Sequence, residues 1–230
     1  SAQNPPEPVA INCFGGARGY RFNGTLALSG GSPSAQLGSL ANLLSNVQFE
    51  GAYLAPNASS ISIAFPGTNG SQDLELRRVN AQLYQRAAGG PWQTSTGQGP
   101  IVSTISRLDP QTLCQDSLAG IKLSGRPSTV ESVGSVTTRH YTLGPADLAG
   151  SPGLLGRDEA PVTPAPGRAS ATPRPAPNET LDVWVDPRSG YPVQMKLVAK
   201  PAEAGGGTLT LGIDVTDVNG PDIAIASPTP

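Results

Sequence analysis

The chain has 230 residues, a formal net charge of −2 and only 14% charged residues, alongside 28 glycines and 24 prolines. That length suits one large β domain, and a charge content well under the ordinary quarter argues against long salt-bridged helices. The slightly acidic balance argues against nucleic acid, whose binders carry a basic patch, and no apolar run approaches the ~18 residues of a membrane-spanning helix.

Residues 1–12 read as a flexible polar leader at a processed or trimmed N-terminus. The two cysteines, Cys13 and Cys114, sit in a Ser/Thr/Asn-rich chain of low charge. This suits an exported protein with one disulfide; the alternative is two unrelated buried thiols. There is no CxxC, so redox catalysis and a zinc site lack support.

Arg18 to Ser29 reads as the first strand, with Tyr20, Phe22, Leu26 and Leu28 on one face. Gly24 interrupts that row and marks a bulge or close packing. Leu37, Leu40, Ala41 and Leu44 recur at helical spacing, so a short helix is expected after Ser34. Period two returns over Val47 to Leu54, with Val47, Phe49 and Tyr53 aligned. It continues over Ser60 to Phe65, with Ile61 and Ile63, over Asp73 to Val79, with Leu74 and Leu76, and over Ala81 to Ala87. This is a meander of short connections, as antiparallel sheets permit.

Ile101, Ile105 and Leu108 have helix-compatible spacing. Asp109-Pro110 is a helix start, with Asp as N-cap and Pro in the first turn, and that helix ends at Gly120. Val130 to Leu143 reads as a further strand. From Gly144 to Asn178 the chain carries eight prolines and almost no large apolar residue after Leu155. Such a segment cannot build a core and reads as an insertion at about 144–178.

Leu181 to Ala199 is the best-punctuated hairpin. Leu181, Val183 and Val185 alternate with polar or exposed positions, Asp186-Pro187-Arg188-Ser189-Gly190 supplies the turn, and Val193, Met195 and Leu197 resume the apolar row. Thr208 to Val218 closes the sheet with Leu209, Leu211, Ile213 and Val215 on one face. Ile223 to Ile225 is a last extended piece, and 228–230 a loose tail.

About ten one-sided strands cannot stay open and flat. The expected fold is α+β, a strongly curved antiparallel sheet or half-barrel with short helices packed on its concave face, in a single domain over 13–227.

The order of GYRFNGTLAL, the meander ending in LYQRAAGGPW, the mid-chain helices and VGSVTTRHYTL resembles the bacterial lipoproteins of the LolA/LppX/LprG type. So does LDVWVDPRSGYPVQMKLV followed by GTLTLGIDVTDVNGPDIAIASP. The resemblance implies an exported lipoprotein of the cell envelope or cell surface that carries a lipid or acylated molecule between sheet and helices. It also implies a membrane anchor on a lipid-bearing cysteine preceding Ser1. The Pro-rich insertion departs from the compact members of the family. On the apolar rows, the residues expected to line such a cavity are Phe22, Leu26, Phe49, Tyr53, Ile61, Ile63, Leu74, Leu76, Val193, Met195, Leu197, Leu211 and Ile213. The same rows could equally pack as a filled core, which would leave an envelope protein-interaction module acting through the Pro-rich segment.

Nothing points to an enzyme, a cofactor or a metal. His140 is the sole histidine, no G-x-S-x-G elbow occurs, and His140 reads as a structural strand residue. Asp214, Asp217, Asn219 and Asp222 miss the spacing of a calcium loop. They read as a solvated face plus a turn, and the sequons at Asn23, Asn57, Asn69 and Asn178 as chance matches.

Overall fold

The computed structural model describes residues 10–30, 46–65, 73–87, 89–96, 105, 108–118, 120–148, 178–200 and 207–228. Among the described residues eleven strands form one antiparallel sheet: β1 (Gly19–Ser29), β2 (Val47–Leu54), β3 (Ala58–Ala64), β4 (Leu74–Val79), β5 (Gln82–Ala87), β6 (Gln93–Ser95), β7 (Thr129–Val133), β8 (Val136–Leu143), β9 (Asn178–Val185), β10 (Pro192–Lys200) and β11 (Thr208–Thr216). One helix is described, α1 (Pro110–Leu118), between β6 and β7. The helix expected after Ser34, most of the Ile101–Leu108 segment and the insertion from 149 to 177 lie outside the described residues.

The order in space is β6-β5-β4-β3-β2-β1-β11-β10-β9-β8-β7. Two meanders therefore run outward from a shared middle, where β1 pairs with β11 from Arg21↔Thr216 to Ser29↔Thr208. The sheet is open, with β6 and β7 at its edges. The expected strand over Val130–Leu143 is a hairpin instead: β7 and β8 are joined by a turn at Gly134, whose φ of 57° is left-handed. Strand β6 was not expected at all, being only three residues long.

Register puts every apolar row on one face. Across the middle of the sheet run Phe22↔Val215, Leu26↔Leu211, Met195↔Ile213, Leu197↔Leu211 and Met195↔Val183. These residues are buried and join Leu113, Cys114 and Leu118 of α1 in one core cluster. Helix α1 is tied to the chain before β1 by the Cys13–Cys114 disulfide, with the two Cα atoms 5.4 Å apart. Closing a loop with a sequence separation of 101 stabilises by ~4–5 kcal/mol in the chain-entropy account. The segment before β1 is also docked on the β9–β10 turn, where Asn12 N–H donates to Gly190 O at 2.9 Å.

Gly24 produces close packing and no bulge. It lies opposite Phe49, and Phe22 lies opposite Gly51. A Cβ on Gly24 would collide with the Phe49 ring and the Gly212 carbonyl, and one on Gly51 with the Phe22 ring and the Ser60 carbonyl. Each ring therefore covers the glycine of the neighbouring strand. At Gly212, on the opposite face, the nearest atom to an added Cβ would be Thr25 Oγ1 at 3.5 Å, an ordinary contact. Gly24→Ala is expected to lose about 1–3 kcal/mol by overpacking, while Gly212→Ala loses nothing. Urea denaturation of the two variants beside the parent checks this pair.

Candidate functional site

Helix α1 begins where Asp109 and Pro110 predict it. The Asp109 carboxylate accepts the N–H groups of Gln111 at 3.0 Å and Thr112 at 3.2 Å, which satisfies two of the donors left open at a helix start. The helix stops short of Gly120, whose φ of 83° is left-handed. Tyr20, fully buried on β1, donates its hydroxyl to both carboxylate oxygens of Asp109 at 3.2 Å. The start of α1 is thus fixed against the core face of the sheet by a disulfide one turn along and by a phenol beneath.

Beside that fixed point the described residues leave a hollow on the core face. A cleft of about 630 Å³ lies between β2–β5 and the start of α1. Phe22, Tyr53, Ile61, Leu76 and Ile105 supply its apolar wall, and Ser59, Arg78, Gln82, Asp109 and Thr112 its polar side. The volume falls inside the ~300–1,000 Å³ range of small-molecule sites. The C-terminal half is different: Tyr141, Leu143, Leu181, Val183 and Val185 are at most 1% exposed and pack with Leu118 and Leu123.

All thirteen residues expected to line a cavity share the core face, but the structure does not bring them to one hollow. Phe22, Tyr53, Ile61 and Leu76 line the cleft. Leu26, Val193, Met195, Leu197, Leu211 and Ile213 are buried in the core. Phe49, Ile63 and Leu74 are also on this face, with Phe49 and Ile63 buried.

Arg78 was missed by the sequence reading. It follows Leu74 and Leu76 at the same parity on β4, lies opposite Ser59 and Leu83, and is exposed at the cleft. Its guanidinium forms no ion pair with the described residues and acts on Asp109 only through space. A cation on an otherwise apolar row was the signal. Burial raises the Asp109 carboxyl above the ordinary carboxylate range, against the helix N–H groups, the Tyr20 hydroxyl and the Arg78 charge, which lower it. The Tyr20 phenol is pushed far up, first by burial and then by the Asp109 charge, so it remains a donor.

His140 lies on the outer face of β8. Its two ring nitrogens are each 3.0 Å from a carboxylate, Glu131 on β7 and Asp182 on β9. Its ring stacks on Trp184 at 4.2 Å between centroids, 7° from parallel. Trp184 Nε1–H donates to Glu131 at 2.8 Å, Thr129 donates to Glu131 at 2.7 Å and Thr142 to Asp182 at 2.6 Å. The bonds to Glu131, from Trp184 first and then Thr129 and His140, lower its carboxyl to about 2. Both nearby hydroxyls are thus committed to carboxylates and neither donates to His140, so the arrangement is not a base–nucleophile pair. Among the described residues no group of three His, Cys, Asp or Glu side chains is arranged to hold a metal ion. Asp214 accepts from Gln194 at 2.6 Å, Asn219 from the Arg18 N–H at 2.7 Å, and Asp217 pairs with Arg21 at 3.4 Å.

No family model matches the sequence, and no curated protein matches it. Among solved structures the chain is similar to a LolA superfamily protein from Nitrosomonas europaea, at 10% identity over 88% of this chain and 87% of that one, with a TM-score of 0.36.

The raised Asp109 has a definite sign. Between the unfolded carboxylate value and the folded one, the native state holds the extra proton, so stability falls as pH rises through that window and levels off above it. Asp109→Asn keeps the capping oxygen and removes this dependence. Its stability relative to the parent should therefore grow as pH rises from about 4, a difference that urea midpoints across pH will read. A constant difference would count against the burial assignment.

Proposed function

We propose that the chain is a non-catalytic carrier or binder of an amphiphile, a lipid or acylated molecule, held in the cleft between β2–β5 and α1. In this reading the sheet is a strongly curved half-barrel with short helices on its concave side, and residues 13–227 form one domain interrupted at about 144–178. The observation that carries the reading is the 630 Å³ hollow on the core face, with an apolar wall and, at its polar side, a cation that pairs with none of the described residues. An acyl chain gains ~0.8 kcal/mol for each CH₂ it buries, so the wall formed by Phe22, Ile61, Leu76 and Ile105 suits a tail. Arg78 suits an anionic head.

The disulfide between Cys13 and Cys114 fits an oxidising compartment and supports export to the cell envelope. A lipid anchor ahead of Ser1 belongs to the same proposal.

A second reading, an envelope protein-interaction module, is favoured by the filled C-terminal half. There Met195, Leu197, Leu211 and Ile213 leave no room for a ligand. Those four residues are core, so charging them would test folding rather than binding.

The discriminating experiment is native mass spectrometry of the purified protein after incubation with palmitate and with uncharged monopalmitoylglycerol, with Kd measured by displacement of a fluorescent fatty acid. Saturable binding of both probes is expected. Arg78→Glu, at an exposed position, should weaken palmitate by about tenfold, the scale of one charge-assisted hydrogen bond, and leave the uncharged probe unchanged. A clean apo mass with both probes would reject the carrier in favour of the interaction module.

A further inference from the structure

The outer face carries a continuous row of polar side chains set by register: Trp184 on β9, Gln194 on β10, Asp214 on β11 and Asn23 on β1 lie opposite one another in sequence across the sheet. In the next row stand Lys196, Gly212 and Thr25. Gly212 leaves a gap between the rows. The result is a depression of about 270 Å³, walled by Trp184, Asn23 and Thr25 and rimmed by Gln194, Lys196 and Asp214. Across Asn23 and Thr25 it adjoins a second depression of about 480 Å³, bordered by Gln48, Glu50, Ser62 and Glu75.

Two observations separate this place from an ordinary solvated strand face. The first is Trp184. Strand order puts His140 on one side of its ring and the depression on the other. One face is stacked, the indole N–H is held by Glu131, and the remaining face is presented to the groove in a fixed orientation. The second is Gly212. A glycine inside a strand weakens it unless a close approach requires one, and here an added Cβ has room. The glycine therefore serves the open floor and not the packing.

We propose that this groove is a saccharide-binding site, with Trp184 as the platform for one uncharged sugar ring and the second depression as the place of a neighbouring unit. An aromatic face meets the C–H side of a pyranose. Vicinal hydroxyls, each both donor and acceptor, need amides, hydroxyls and carboxylates together, which Asn23, Gln194, Thr25 and Asp214 provide. Carboxylates outnumber the single Lys196 along both depressions, which disfavours an anionic ligand. The first depression lies just under the ~300 Å³ lower end of ligand pockets, the size for one ring and not for a bulky ligand. This site is on the opposite face of the sheet from the amphiphile cleft, so the two stand or fall separately.

The test uses the intact protein with the tetrasaccharide of N-acetylglucosamine, a neutral glucan tetrasaccharide and, as the rival class, a lysine-rich peptide. Binding is read by tryptophan fluorescence and calorimetry. A saturable response to at least one saccharide is expected. Trp184→Ala should weaken it at least tenfold. Gly212→Val, which fills the floor with a residue that favours strands, should abolish it while circular dichroism and the urea midpoint stay as in the parent. No saturable response to either saccharide overturns the proposal, as does a Gly212→Val variant that binds like the parent. Binding of the peptide alone, lost on Asp214→Asn, would overturn it in favour of a cationic partner.

Discussion

The fold depends on one ladder. Strands β1 and β11 are almost two hundred residues apart in the chain, yet they pair from Arg21↔Thr216 to Ser29↔Thr208. Every other pairing is between consecutive strands and closes a shorter loop. Without the β1–β11 ladder there would be two separate meanders, each with an apolar face too narrow to bury itself. With it, Phe22, Leu26, Leu211 and Ile213 become the middle of one surface, and β1 and β11 lose their free edges. Such non-local pairing must first overcome the closure entropy of a long loop. The disulfide works in the same direction, because Cys13–Cys114 shortens the free path of chain between the two strands.

The middle of the sheet is also where space is divided. Phe22 and Phe49 lie over Gly51 and Gly24 on neighbouring strands, so the rings lie low on the core face there. On the C-terminal side, branched residues of β8, β9 and β10 meet Leu118 and Leu123 and close the space. Toward β2–β5 the start of α1 faces Ser59, Arg78 and Gln82. Polar and charged side chains do not collapse into a dry core, since each would need a partner to offset its desolvation. The cleft is therefore a consequence of sequence: the apolar row of β4 ends at Leu76, and Arg78 keeps the far end open.

Much of this was legible. Period-two alternation located eight of the strands to within a few residues, and ran β7 and β8 together as one, because a one-sided sheet repeats a pattern that turns interrupt. The Asp109-Pro110 start and the Cys13–Cys114 pairing were readable from residue type alone. What escaped was short. The β7–β8 turn rests on the pair Gly134-Ser135, a two-residue hairpin signal that the long run from Val130 to Leu143 concealed, and β6 has only three residues. The β4–β5 turn, by contrast, was legible as the break between the runs Asp73–Val79 and Ala81–Ala87, although Asn80 and Ala81 are both left-handed at φ 51° and 67° and an alanine there costs about 1–2 kcal/mol. For the site, parity identified the face and not the hollow. Thirteen residues at one parity look identical in sequence whether a helix packs on them or not. Only Arg78, out of character for its row, distinguished the open end.

The outer face admits a similar argument from what stability does not require. A cross-strand pair such as His140–Trp184 contributes roughly 0.2–1 kcal/mol, and smaller residues would serve a half-exposed position as well. Yet Glu131 is bonded to Trp184, to His140 and to Thr129 at once, so three strands combine to hold one indole in place. Nearby, Gly212 weakens β11 by about 0.5–1 kcal/mol relative to alanine without the steric necessity that holds at Gly24 and Gly51. If the sheet were shaped for stability alone, the two positions would show the reverse: a freely turning side chain at 184 and a β-branched residue at 212. A rigid aromatic wall beside a floor kept empty is what a recessed site needs, because ordering the wall beforehand lowers the entropy that a ligand must overcome on binding.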